Sequence, residues 1–200
     1  MSTPDITFDI LDGTGAGAHG DELQALYAEV FAGPAQPGLA QPGPARPSSA
    51  HGRDDEAAQF SGRFRVQRRQ PGYVLAEARH GGYLVGYAAG FPLRPSTPWW
   101  RHLTTPLPDE VTAEHPGRTF ALVDLAVRAS WRRQGIGAAL HRLVLANRPE
   151  ERATLTLLPS AAPAQHAFRA WGWRKVARTR DPAPGSPVAD VLVTALPLGP

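Results

Sequence analysis

Cysteine is absent from this 200-residue chain. That excludes disulfide staples, thiolate nucleophiles and cysteine-ligated metals together. Lysine is nearly absent as well: Lys175 stands alone, so almost all positive charge is arginine, the side chain better matched to phosphate. No stretch approaches the ~18 consecutive apolar residues of a membrane span. The opening "MSTPDITFDILDG" carries acids and no basic run, unlike a secretory leader. Seven histidines are scattered through the chain without a His-Glu-x-x-His pattern or a close pair, so no metal site is expected. The net charge of +3 is too small to argue for a nucleic-acid partner. The expectation is a cytoplasmic, globular protein that binds neither membrane nor nucleic acid.

Proline and glycine are plentiful, at 21 and 20 residues, and they punctuate the chain. "DITFDIL" (5–11) alternates as a first strand. "GTGAGAHG" (13–20) reads as a flexible turn. Leu23, Leu26, Tyr27, Val30 and Phe31 then recur at helical spacing, which predicts an amphipathic helix over 21–32. "GPAQPGLAQPGPARPSSA" (33–50) is too rich in proline and glycine for a regular element, so residues 33–52 are expected to form a flexible loop. A second, weaker helix is expected over 54–69, acidic in its first turn and basic in its last.

"GYVLAEAR" and "YLVGYAAGF" flank "HGG" as a β-hairpin. Residues 92–118 form an irregular, proline-rich insertion with adjacent tryptophans. "TFALVDLAV" (119–127) is so continuously apolar that both of its faces should be covered. A helix led by Ile136 and ended by Pro149, a strand over 153–159 and a helix over 160–171 closed by Gly172 follow. Strands over 173–179 and 188–196 complete the chain. The order β-α-α-β-β-β-α-β-α-β-β predicts one α/β domain over residues 1–200, a mixed β-sheet flanked by helices.

The chemistry gathers at residues 131–140, "WRRQGIGAAL". A buried strand runs into Arg132-Arg133-Gln134-Gly135-Ile136-Gly137 and then a helix. A helix N-terminus leaves ~4 backbone N–H groups free and carries about half a positive charge. Glycines let an anion approach these groups closely, as a pyrophosphate site requires. Ala138-Ala139 follow Gly137 in place of Lys-Ser/Thr, so this is not a nucleotide-hydrolysis loop. Two glycines this late in the chain also fall short of the dinucleotide fingerprint. The plainer readings are a simple helix start for Gly135 and Gly137, and solvated loop side chains for Arg133 and Gln134.

Arg-x-x-Gly-x-Gly after a strand ending in "LAV" resembles the acetyl-CoA motif of the GNAT superfamily of acyl-CoA N-acyltransferases. The hairpin "VLAEARHGGYLVGYAAG" looks like that family's second and third strands, and "AFRAWGWRKV" like its late helix ending in Gly-aromatic. The resemblance runs from about residue 5 to 196. It implies a GNAT-type sheet and acetyl-CoA as co-substrate, with direct transfer to an amine of a small molecule or protein. Homodimers are frequent in the family. The resemblance also implies pantetheine contacts from the backbone of Leu125, Ala126 and Val127, beside a following strand that splays away. Arg132, Arg133, Gln134, Gly135, Ile136, Gly137 and Ala138 would hold the pyrophosphate, and the Val127 N–H would meet the oxyanion.

An alkyl amine is neutral only about once in 2,500 molecules at pH 7, so a base can help. Asp124, an acid within an apolar strand, is the first candidate; otherwise it is a hydrogen-bonded structural carboxylate. Glu77 is the second, unless it is a solvent-facing strand residue. The family's usual acid, a late-helix tyrosine, falls at Phe168 on the cofactor side, and its upstream asparagine at Ala161. Neither replacement can protonate a thiolate, which opens the alternative of a catalytically silent acyl-CoA-binding or interaction module. His166 lies on the same helix but on a different face. Trp99, Trp100 and His102 would line an acceptor pocket, or the tryptophans close the core. Asp109, Glu110 and Glu114 would draw in a cationic amine, or stand merely solvated.

Overall fold

The computed structural model describes residues 5–31, 53–182 and 185–199, with the backbone alone at 53–57 and 59. The 33–52 loop expectation lies outside them. Seven strands form one sheet in the order β1-β2-β3-β4-β5-β7-β6. They are β1 (Ile6–Asp12), β2 (Val74–His80), β3 (Tyr83–Pro92), β4 (Thr119–Val127), β5 (Arg152–Leu157), β6 (Arg174–Arg180) and β7 (Val188–Ala195). The helices are α1 (Gly20–Phe31), α2 (Arg53–Gln67), the one-turn α3 (Asp109–Thr112), α4 (Ile136–Leu145) and α5 (Ala162–Ala170). The predicted order therefore holds, with a short helix added inside the insertion. One local expectation is corrected. The glycine-rich stretch after β1 is not a loose turn but a 3-10 helix, Gly15–His19. Asp12 Oδ1 accepts from the Thr14 and Gly15 amides at 2.9 and 2.8 Å, and Ala16 is fully buried.

β1 to β4 form an antiparallel meander, and β5, β7 and β6 a second antiparallel group. The two halves meet only where β4 and β5 run parallel, through Thr119↔Arg152, Phe120↔Ala153 and Ala121↔Thr154. Beyond those pairs the strands part.

Each face of the sheet is covered. On one, Leu23, Leu26 and Tyr27 of α1 and Phe60 of α2 pack on Leu75, Tyr87 and Ala126. On the other, Ile136, Leu140 and Val144 of α4 and Phe168 of α5 pack on Ala76, Ala88, Leu122 and Leu125. Small residues under α4 let it lie close: a Cβ on Gly86 would come within 3.1 Å of Leu140 Cδ1. The insertion covers the rest of the first face, where α1 and α2 do not reach. Trp100 packs there on Ala177 and Val191. His102 O accepts from Arg180 N–H at 3.1 Å, and Arg178 O accepts from Thr104 N–H at 2.8 Å. This short rung, with the Leu103↔Thr179 bridge, lies along the outer edge of β6.

A β-bulge interrupts the pairing of β3 with β4. Ala89 faces Asp124 but Gly90 faces Leu122, so Val123 is the extra residue. Simple alternation would send Asp124 to the face of Leu122. The bulge resets the phase, and Leu122, Leu125 and Val127 all share the α4 face, while Ala126 faces α1 and α2. Gly90 is required beside it: a Cβ there would strike the Phe120 ring and lie 2.5 Å from Ala121 O. Gly90→Ala is expected to cost at least ~1–3 kcal/mol of stability through overpacking, measurable by chemical denaturation.

Between α4 and α5, His141 Nε2 accepts the Trp173 indole N–H at 2.9 Å and its ring stacks on Trp171 at 4.6 Å. Burial, with the Arg142 charge adding, pushes this imidazole down to about 4. An unfolded chain takes up the same proton near pH ~6.5. The unfolded state thus binds it first on acidification. The His141 contribution is complete above that pH and falls as pH drops towards about 4. The loss is on the order of 3 kcal/mol at ~1.4 per pH unit. Denaturation midpoints across that range should show it, and His141→Gln should flatten it.

Candidate active site

The site is built where β4 and β5 separate. Backbone groups of alternate strand residues point to opposite neighbours. Arg128 N–H bonds Val85 O on the β3 side at 2.9 Å, which turns the amide and carbonyl of Val127, and by the same alternation those of Leu125, towards the gap left by β5. Arg132 Nε already donates to Val127 O at 3.1 Å, tying the loop back to the end of the strand.

That loop delivers the start of α4. Gly135 precedes it with φ 82°, a left-handed conformation that glycine adopts without strain, and a Cβ there would meet open space. Among the described residues no side chain caps the helix and no acid occupies its first turn, which leaves its first amides without intrahelical partners. Gly137 sits over the strand end: its Cβ would lie 3.8 Å from Val127, 3.9 Å from Leu125 and 3.9 Å from Trp171. The start of α4 and the gap therefore adjoin one another. Arg133 and Gln134 are exposed, and Gln134 Nε2 donates to Ser130 O at 3.2 Å.

On the other face the gap opens into a cavity of about 470 Å³, within the ~300–1,000 Å³ of small-molecule sites. Val123 and Thr156, two residues beyond the last β4–β5 pair, line its floor. Val66, Gln67 and Gln70 form one wall, at and just beyond the end of α2. Trp99 and His102 come from the insertion, and Thr179 and Asp181 from the end of β6. Trp99 is held by its indole N–H, which donates to Thr154 Oγ1 at 3.3 Å.

Residues 41–173 match the model of the Acetyltransferase (GNAT) family. The chain belongs to that family. The fold of this GNAT chain is similar to that of the ribosomal-protein-S18-alanine N-acetyltransferase from Escherichia coli, with a TM-score of 0.60 and 13% identity over 98% of this chain and 97% of the other. It is similar to aminoglycoside 6'-acetyltransferase type Ii, at 0.63 and 12% over 97% and 99%. It is also similar to Arabidopsis thaliana NAA60, solved in complex with acetyl-CoA, at 0.61 and 13% over 96% and 99%. At these identities the likeness is one of fold. No curated protein matches the sequence. Among the described residues no helix is long and apolar enough to cross a membrane.

The residues singled out from sequence fall into two groups. Leu125, Ala126, Val127 and the 132–138 loop share the end of β4 and the start of α4, and Trp99 and His102 share the cavity. The others lie elsewhere. Trp100 is buried, its indole N–H on Glu114 Oε1 at 2.9 Å, and does not line the cavity. Glu114 is not solvated: it also accepts from Thr119 Oγ1 at 2.8 Å and pairs with Arg152 at 3.0 Å. Asp109 and Glu110 are exposed on α3. Glu77 is neither solvent-facing nor close to β4. It is buried, with Oε1 2.8 Å from His19 Nδ1 and Oε2 2.9 Å from Arg79 Nε, two strands or roughly 10 Å from β4. Phe168 is fully buried, its ring edge-on to Trp171 and Trp173.

Asp124 is buried on the α1/α2 face, where Arg63 of α2 reaches its Oδ1 at 3.0 Å. Burial is the largest influence and opposes the Arg63 charge, but the Asp124 carboxylate, with the Tyr27 and Tyr87 phenols adding, outweighs it and holds the guanidinium above its ordinary value. Arg63 also lies over the Tyr27 and Phe60 rings, at 5.3 and 5.7 Å. Beside them burial pushes the Tyr87 phenol well up, with the Asp124 charge adding. Arg63, Tyr87, Val123 and Thr156 carry no signal in the sequence. Arg63 sits in a weakly amphipathic helix, and the other three in apolar strands whose register is set by the bulge and the parting.

The ion pair couples α2 to β4. Arg63→Met and Asp124→Asn should each lower the unfolding free energy, the first by ~3–5 kcal/mol because a buried charge loses its cation. The double variant should recover part of that loss, giving a coupling on the order of 1–3 kcal/mol in a double-mutant cycle.

Proposed function

We propose that this chain is an acetyl-CoA-dependent N-acetyltransferase, transferring acetyl directly to a primary amine of a small molecule or protein in a ternary complex. The observation that carries the reading is the joining, across the β4–β5 gap, of a glycine-led helix start on one side to a cavity on the other. An anionic, extended donor fits the first side and an amine the second. That NAA60 and aminoglycoside 6'-N-acetyltransferase were solved with acetyl-CoA or coenzyme A supports the same donor here.

Acetyl-CoA supplies an activated thioester. The protein's part is positional and electrostatic. The first-turn amides from Ile136 to Ala138, with the Arg132 and Arg133 charges, suit a pyrophosphate. The backbone of Leu125 and Val127, turned into the gap, suits the amide-bearing arm. The Val127 N–H, on the gap side of β4, would donate to the carbonyl oxygen as it gains charge. Holding amine and thioester together removes much of the entropic barrier. Asp124 is assigned to positioning: it fixes Arg63, and through it the α2 segment that ends at the cavity wall. Among the described residues of that wall, His102 and Asp181 are the ionisable groups able to take the ammonium proton, directly or through water.

The buried Phe168 supports one rival, a silent acyl-CoA-binding module, since α5 offers no hydroxyl there. Coenzyme A thiolate is a good leaving group, so the missing hydroxyl does not forbid turnover. Calorimetric titration with acetyl-CoA, alongside a thiol-release screen of amines, separates the two. Saturable binding with turnover is expected; tight binding without turnover on any amine favours the module, and no binding rejects both. Asp124→Asn should raise the acceptor KM and leave the shape of the pH–rate profile intact. Loss of its acidic limb would instead make Asp124 the base.

A further inference from the structure

The end of α5 turns two tryptophans onto α4. His141 of α4 is held between them: its Nε2 accepts the Trp173 indole N–H at 2.9 Å, and the Trp171 ring stacks on it at 4.6 Å. Phe168 meets the Trp171 ring edge-on at 5.2 Å. Trp173, His141 and Phe168 are buried, whereas Trp171 is half-buried at the rim of that core. The ring is thus braced by its neighbours, and a braced ring offers contact area without first losing rotamer freedom. Burial keeps the stacked imidazole uncharged near neutrality, so the support beneath the ring stays apolar.

The Trp171 ring reaches the start of α4. Its Cη2 lies 3.9 Å from the point where a Cβ on Gly137 would stand, and that point is 3.8 Å from Val127 Cγ2 and 3.9 Å from Leu125 Cδ2. These are ordinary van der Waals distances, so Trp171, Val127 and Leu125 border one apolar cradle that a methyl group would fill. The cradle adjoins both the first-turn amides of α4 and the β4 backbone that turns into the gap.

Three kinds of surface therefore follow one another from α4 into the gap: backbone N–H groups, an apolar cradle, then strand backbone. The donor carries matching groups in the same order. Coenzyme A has a pyrophosphate, close beside it a carbon bearing two methyl groups, and beyond that two amides leading to the sulfur. With the pyrophosphate at the helix start, the methyl-bearing carbon is the next part of the molecule to need a surface, and apolar contact suits it.

We propose that Trp171 is a donor-binding residue, its indole set against the dimethyl segment of the acetyl-CoA arm, with His141 as the residue that positions it. The inference rests on the acetyltransferase reading and adds a side-chain contact to it.

The test uses the full chain and two ligands: acetyl-CoA, and adenosine 3'-phosphate 5'-diphosphate, which keeps the pyrophosphate and lacks the arm. Trp171→Ala should weaken acetyl-CoA binding by about tenfold in calorimetry, and leave the second ligand, measured by displacement of acetyl-CoA, within about twofold of wild type. Trp171→Phe should stay within about threefold for both. A second readout does not depend on the alanine variant folding. With 5-fluorotryptophan at all five tryptophans, the fluorine NMR signal that disappears in Trp171→Phe should shift when acetyl-CoA is added to the otherwise wild-type chain, and hold its place with the armless ligand. Equal weakening of both ligands would make Trp171 a mere support of the helix start and overturn the proposal. Unchanged acetyl-CoA affinity or an unmoved fluorine signal overturns it too, and leaves the acetyltransferase reading standing. Absence of acetyl-CoA binding to the wild-type chain overturns both.

Discussion

β4 and β5 share three residue pairs and then separate, and most of what this molecule can do depends on that separation. Two parallel strands in a sheet ordinarily satisfy each other's backbone to their ends. Here β4 continues past Ala121 with one side of its ladder still bonded to β3 and the other turned into the gap, where Arg132 reaches only the Val127 carbonyl. Such groups are costly to leave dry, and they are therefore available to a ligand that supplies amides of its own. The same divergence places the floor of the cavity, the end of β4 and the first turn of α4 around one opening. The two halves stay joined below the opening, because one core under α4 and α5 takes in strands from both.

The bulge at Val123 governs what each side of that opening contains. It keeps Leu122, Leu125 and Val127 under α4 and gives Asp124 to α2. A carboxylate left on the α4 face would stand among apolar side chains with no cation near it. On the face it occupies, Arg63 matches it, and the pair joins the strand beside the gap to the helix that walls the cavity.

Much of this was readable in the chain itself. β4 begins and ends where its apolar run does, because a strand covered on both faces must be apolar throughout. The hairpin turns where glycine permits positive φ, and α4 begins where two glycines follow the arginines. What the sequence hid has a common physical source. In a uniformly apolar strand, alternation says nothing about which face a residue takes, so neither the bulge nor the direction of Asp124 could be seen. The insertion's role was hidden because pairing with β6 uses backbone groups, which every residue has. Glu77 sits amid alanine and arginine in a short strand, and only the fold brings His19 to it from the preceding helix.

The rung that residues 102–104 add beside β6 has a consequence for how the sheet meets other chains. An open edge strand is a template for another strand. At the β6 end the last residues of that template, Arg178 to Arg180, are already paired with the protein's own insertion. The opposite end is β1, and it carries Asp9 and Asp12, with Asp5 just before it. An antiparallel partner of the same sequence would set these carboxylates near one another, where like charges repel. One margin of the sheet is thus partly closed by its own backbone, and the other sets like charges against a second copy aligned edge to edge.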